Sequence, residues 1–221
     1  MYRPALFAAA LAVASAPVGA AVVYSQTPYK LVGATSDFSV DVGLNQQADN
    51  FQLTSASTIR GISFWGDRGA LTPDDMFIIR IFADITDKPN TTPLSESLLA
   101  DLIRTPTGES IAGSPVYAYS ANLVSPFALN ASTTYYLSIV NNTASTDPWS
   151  WSQLNGTVDN RRWHRAGGVS ATDEWSETTS DLAFVLTDQE VPVPAPLALI
   201  AIGGLALAMI RRRRGSATTE A

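Results

Sequence analysis

Between residues 21 and 190, apolar side chains recur at every second position, in short runs broken by turn residues. A period of two belongs to a strand with one buried face, and it cannot form the stripe that an amphipathic helix needs. In Met76–Asp84, Phe77, Ile79, Ile81 and Ala83 share a face, with Arg80 and Asp84 on the other. Tyr135, Leu137 and Ile139 alternate in the same way, as do Leu182, Phe184 and Leu186. Further strands are expected over 37–42, 58–65, 116–123 and 149–153. Gly66-Asp67-Arg68-Gly69, Asp87-Lys88-Pro89-Asn90 and Gly167-Gly168 separate the runs as turns. Ser and Thr fill 39 of these 170 positions and Lys only two, a composition that suits strands and polar turns. Residues 95–104 fit a short helix or a strand equally. The expectation is an all-β fold, a single β-sandwich of jelly-roll or fibronectin-like type over residues 21–190.

The chain has no cysteine, which excludes a disulfide-stapled scaffold and any cysteine-ligated metal centre. Its formal charge of −6 is unevenly spread. Setting aside Arg3, Arg211 to Arg214 and Glu220 leaves 9 basic and 19 acidic residues, so the central segment stands near −10. That balance argues against a nucleic-acid partner.

The two ends differ from the middle, each holding 15 apolar residues in 20 (1–20 and 191–210). Arg3, the apolar run Ala5 to Ala16 and Pro17-Val18-Gly19-Ala20 have the order of a secretory signal peptide. Signal peptidase is expected to cut after Ala20, with Ala21 the alternative. At the other end, Val191-Pro192-Val193-Pro194-Ala195-Pro196 is an extended, proline-spaced segment. It leads into the apolar stretch 197–210 and then Arg211, Arg212, Arg213 and Arg214, followed by a polar tail over 215–221. A 14-residue helix is about 21 Å long against a hydrocarbon core of roughly 30 Å, so it crosses only with help from its flanks. The arginine cluster holds that end on the cytoplasmic side.

This tripartite end resembles the PEP-CTERM sorting signal of Gram-negative bacteria, or its VPLPA variant. Val191, Pro192, Pro194 and Ala195 match the motif, while Val193 stands where the acidic residue of the name would be. The resemblance implies recognition by an exosortase, a membrane protease that cuts near the proline motif. An ordinary transmembrane tail anchor is the alternative. The middle is similar to the β-domain of many PEP-CTERM proteins, in stretches such as Ile79-Arg80-Ile81-Phe82-Ala83-Asp84, Thr134-Tyr135-Tyr136-Leu137-Ser138-Ile139 and Trp149-Ser150-Trp151. Leu129-x-Ala131-x-Thr133-x-Tyr135-x-Leu137 resembles the tyrosine corner of fibronectin-type sandwiches, in which the hydroxyl bonds back to upstream backbone.

Sites that carry chemistry are sparse. Trp149 and Trp151 lie two apart on one strand face, and Trp163 and Trp175 follow in polar sequence. Such indoles either fill a core or stack on sugar rings, with Asn155, Asp159, Asn160, Arg161 and Arg162 near to bond hydroxyls. His164 is the only histidine, and no G-x-S-x-G elbow accompanies it, so it reads as a surface residue. Asp37, Asp41, Asp74, Asp75, Asp84 and Asp87 offer oxygens for calcium but lack EF-hand spacing. No cofactor, metal site or catalytic residue is assigned. The expected role is that of a non-enzymatic, exported surface or matrix protein. It would be structural or adhesive, linked to exopolysaccharide by the resemblance, and held transiently in the inner membrane through its C-terminal helix. A displayed carbohydrate-binding module and a sandwich-fold hydrolase are the alternatives.

Overall fold

The computed structural model describes residues 20–28, 32–38, 44–67, 75–142, 148–154, 158–166 and 174–191. The expected signal peptide up to Gly19, the sorting segment from Pro192 onward, Asp41 and Asp74 lie outside them. Thirteen strands run in chain order through the described residues, with no helix. They are β1 (Val22–Gln26), β2 (Gly33–Thr35), β3 (Asn45–Gln52), β4 (Ser57–Asp67), β5 (Phe77–Ala83), β6 (Ser95–Ile111) and β7 (Ser114–Leu129). The rest are β8 (Thr134–Asn141), β9 (Ser150–Leu154), β10 (Arg161–Ala166), β11 (Ser176–Thr179), β12 (Asp181–Leu182) and β13 (Phe184–Thr187). No helix among the described residues is long and apolar enough to cross a membrane.

All ladders between these strands are antiparallel, in the order β1-β13-β4-β7-β6-β5-β8-β3-β10-β11, with β9 pairing β2, β4 and β12 beside this path. β6 joins the two halves: Ser95 to Leu98 pair with β5, and from Leu99 onward the strand pairs with β7. The open choice over 95–104 is thus resolved as strand. The sheet curls there, and the inward faces of β4, β7 and β13 meet those of β3, β5 and β8 across one core. Phe64 lies edge-on to Phe77 at 4.9 Å between ring centres, and Phe51 edge-on to Phe184 at 5.9 Å. Each buried ring of this kind contributes roughly 1.5–3 kcal/mol.

The alternation seen in sequence is realised in β5 and β8, but only in part. Phe77, Ile79 and Ile81 enter the main core, yet Ile78, Arg80 and Phe82 on the opposite face are buried as well. Phe82 joins Ala48, Tyr136, Trp163 and Trp175 in a second, smaller cluster. Arg80, which the alternation places away from the core, has its side chain 1% exposed and pairs with Glu96 at 2.7 Å. β5 is therefore covered on both sides.

Tyr135 forms the expected corner: its ring packs in the core beside Phe51, and its hydroxyl accepts the Asn130 backbone N–H at 3.1 Å. β6 and β7 form the longest hairpin, closed by Ala112 and Gly113, with φ of 49° and 91°. Two successive left-handed residues make a type I′ turn, whose twist matches that of the strands.

Candidate functional site

Four indoles were open to two roles, filling a core or stacking on sugar rings, and all four are buried, from 0% exposed at Trp149 and Trp151 to 6% at Trp175. Trp149 packs against Phe64, Phe77 and Tyr119 in the main core. Trp151 stacks beside Trp149, and its Nε1–H donates to the Ala183 carbonyl at 2.8 Å. Trp163 and Trp175 belong to the second cluster, and arginines cover ring faces of both. The Arg161 guanidinium lies 5.0 Å from the Trp163 ring centre, and that of Arg165 4.5 Å from Trp175. A guanidinium over an aromatic face occupies the place a sugar ring would take. The sugar-stacking alternative is thereby corrected, and the core reading holds: these indoles build the two buried clusters.

Other candidates also disperse. Asp37 is buried and accepts from Asn141 Nδ2 and the Trp149 backbone N–H, both at 3.0 Å. Asp75 pairs with Arg104, Asp84 accepts from the Tyr136 hydroxyl, and Asp87 pairs with Arg161. Among the described residues no three His, Asp or Glu side chains converge in a way that would hold a metal ion. His164 lies exposed on β10 opposite Ser176 of β11.

The proline motif touches the folded domain at its first residue. The Val191 backbone N–H donates to Asn122 Oδ1 at 2.7 Å, and Asn122 Nδ2 donates back to the Val191 carbonyl at 3.4 Å. Gly61 on β4 leaves the room: a Cβ there would run into Thr187 Oγ1 and Val191 Cγ2. At the other end, the Asp188 backbone N–H donates to the Ala21 carbonyl at 3.2 Å.

A polar pocket of about 440 Å³ opens where β9, β10 and β11 converge, lined by Val32, Gln153, Leu154, Asn160, Arg162, Thr179 and Ser180. Its geometry follows from two left-handed residues, Asn160 with φ 60° and Ser180 with φ 86°. Asn tolerates this conformation, whereas Ser adopts it at a cost of roughly 1–3 kcal/mol. Cross-links hold both: the Ser180 backbone N–H donates to Asn160 Oδ1 at 3.1 Å and to the Asn160 carbonyl at 3.2 Å. The Ser180 hydroxyl accepts from Arg162 Nε at 3.1 Å and donates to Gln153 Oε1 at 2.6 Å. Arg162 Nη1 donates to Gln47 Oε1, whose own amide is held by the Thr35 carbonyl.

Three carboxyls, Asp49, Asp159 and Asp181, lie within electrostatic reach of one another. Asp49 accepts from Gln26 Nε2, the Leu182 backbone N–H and the Asn50 backbone N–H. Burial nevertheless raises its pKa well above the ordinary value of 3.8. Asp159 is raised too, by burial first and then by its hydrogen bond with Asp181. Two carboxyls in direct hydrogen-bond contact lie closer than the roughly 5 Å or more that separates the acids of a glycosidase, so this pair does not have that geometry. Burial lowers the pKa of half-buried Arg162, while Asp49 opposes the shift.

Of the residues named from sequence near a glycan, Asn160 and Arg162 line the pocket. Arg161 faces outward into ion pairs with Glu177 and Asp87, Asp159 accepts from Asn50 Nδ2, and Asn155 lies outside the described residues. Gln153, Thr179 and Ser180 carry no motif, and only the Asn160-Arg161-Arg162 run pointed to this corner.

No curated protein matches the chain. A family profile described as a domain of unknown function, DUF7901, matches residues 22–187, from the first residue of β1 to the last of β13. The antiparallel β-domain described above is the part of the chain that this match covers, and by it the protein belongs to the DUF7901 family.

Proposed function

We propose that this chain is an exported, non-enzymatic surface or matrix protein whose β-domain folds as a single sandwich. In this reading a membrane protease of exosortase type releases the domain at its C-terminal proline motif. Val191, Pro192, Pro194 and Ala195 present an extended backbone to the protease, and the helix over 197–210 with Arg211 to Arg214 holds the chain at the outer face of the inner membrane until then.

One observation carries the reading furthest. Asn122 grips Val191, the residue at which the proline motif starts, by both its N–H and its carbonyl. Folded domain and sorting segment meet without a spacer. The other end agrees with a cut after Ala20, since the Ala21 carbonyl already accepts from Asp188. The sandwich reading is supported by a core fed from both halves of the curled sheet.

Protease shaving of intact cells tests the display. The reading expects the domain to be digested from outside while a cytoplasmic control survives, and replacement of Arg211 to Arg214 by serine to reduce the surface pool. A domain protected in intact cells and digested only after lysis would overturn it.

A further inference from the structure

We propose that the pocket around Arg162 binds an acidic saccharide, seating a ring carboxylate on the guanidinium. The proposal deepens the surface or matrix role proposed above by naming the ligand class it would engage.

The side-chain groups left free around Arg162 are hydrogen-bond donors. A backbone N–H can only donate, so the bond from Ser180 fixes Asn160 with Oδ1 turned inward and its NH₂ left over. Arginine Nε also only donates, so the Ser180 hydroxyl directs its own hydrogen to Gln153 Oε1, which leaves the Gln153 NH₂ free. A guanidinium has five N–H donors. Among the described residues Arg162 has hydrogen bonds only through Nε, to Ser180, and Nη1, to Gln47, and it forms no ion pair. The internal network consumes the acceptors and leaves donors lining the pocket.

Such a pocket selects a ligand rich in acceptors and carrying negative charge. A guanidinium fork matches a carboxylate in two parallel bonds, and the contact strengthens when partly shielded from water. The amides of Gln153 and Asn160 and the Thr179 hydroxyl sit where ring hydroxyls and the ring oxygen would accept. Val32, which is 55% exposed, and buried Leu154 provide an apolar wall of the kind that the C–H face of a pyranose covers. A volume of about 440 Å³ lies within the usual range for small-ligand sites. The other guanidiniums facing carboxylates are already committed: Arg80 to Glu96, Arg104 to Asp75 and Arg161 to Glu177 and Asp87.

The test uses the full chain purified in detergent, with trigalacturonate as the probe, its methyl ester as a neutral isostere, and calorimetry as the readout. The expected result is saturable binding of trigalacturonate that weakens about tenfold or more for the ester and for Arg162→Ala, the scale of one charge-assisted bidentate contact. Gln153→Glu keeps the acceptor for Ser180 while placing a carboxylate beside Arg162, so the fold survives and binding falls by a similar factor. Absence of binding to the unmutated chain, equal binding of acid and ester, or undiminished binding by Gln153→Glu would overturn the proposal. Binding by purified protein requires no export, so its outcome is separate from that of surface shaving and proteolytic processing.

Discussion

Gly66 and Arg161 illustrate how single positions hold the tryptophans. A Cβ at Gly66 would collide with the indole of Trp149 and the Ser150 carbonyl, neither of which has room to retreat. Gly66→Ala should therefore destabilise the fold by about 2–3 kcal/mol in urea titration, through overpacking. Arg161 bonds Glu177 through Nε and Nη2, reaches Asp87 through Nη1 and covers Trp163. Its replacement by Ala costs about 1 kcal/mol, since exposed ion pairs contribute little, but it uncovers an indole. Tryptophan emission should move to longer wavelength, and an unshifted spectrum would contradict this packing. Residue types made Tyr135 legible in advance because a corner tyrosine has a local signature. The fate of the indoles was not legible, since stacking on a sugar and stacking under an arginine use the same ring.

Strands β3 and β10 were missed as elements for a physical reason. Polar side chains fill many of their buried positions: Gln46, Gln47 and Asp49 on β3 and Arg165 on β10 are buried among Ala48, Phe51 and Trp163. The glutamines find partners across the sheet, Gln46 with Ser138 and Arg165, and Gln47 with Thr35 and Arg162. Hydrophobic alternation cannot reveal a strand whose buried face is hydrogen-bonded rather than apolar. β5, β8 and β4 were legible because one buried face of each is mostly hydrocarbon. Asp49 gives this polar layer a pH signature. Its pKa is raised in the fold, so above pH 3.8 the unfolded chain binds fewer protons than the native one, and stability falls as pH rises toward the native value. Asp159 acts in the same direction. Thermal unfolding followed from about pH 4 to about pH 8 should show this decline, and Asp49→Asn should flatten it. At the tip of the β6–β7 hairpin, Ala112 holds a left-handed φ of 49° that Asn or Gly adopts more easily. Ala112→Asn should stabilise the chain by about 0.5–1 kcal/mol, read as a higher denaturant midpoint.

At the scale of the whole molecule, a domain without cysteine has no disulfide to hold it, and two aromatic clusters supply its packing. The charge of −6 divides into an acidic β-domain and basic ends, which under the proposed function serve transport. β-class was legible from the period of the apolar residues, whereas the curl at β6 was not, because one continuous strand serves two partners. The most direct measurement is the intact mass of the protein isolated from the cell surface, with and without the membrane protease. The account predicts a species starting at Ala21 and ending near the proline motif, without Arg211 to Arg214, that disappears when the protease is lost. A surface species that still carries the four arginines, unchanged by that loss, would contradict it.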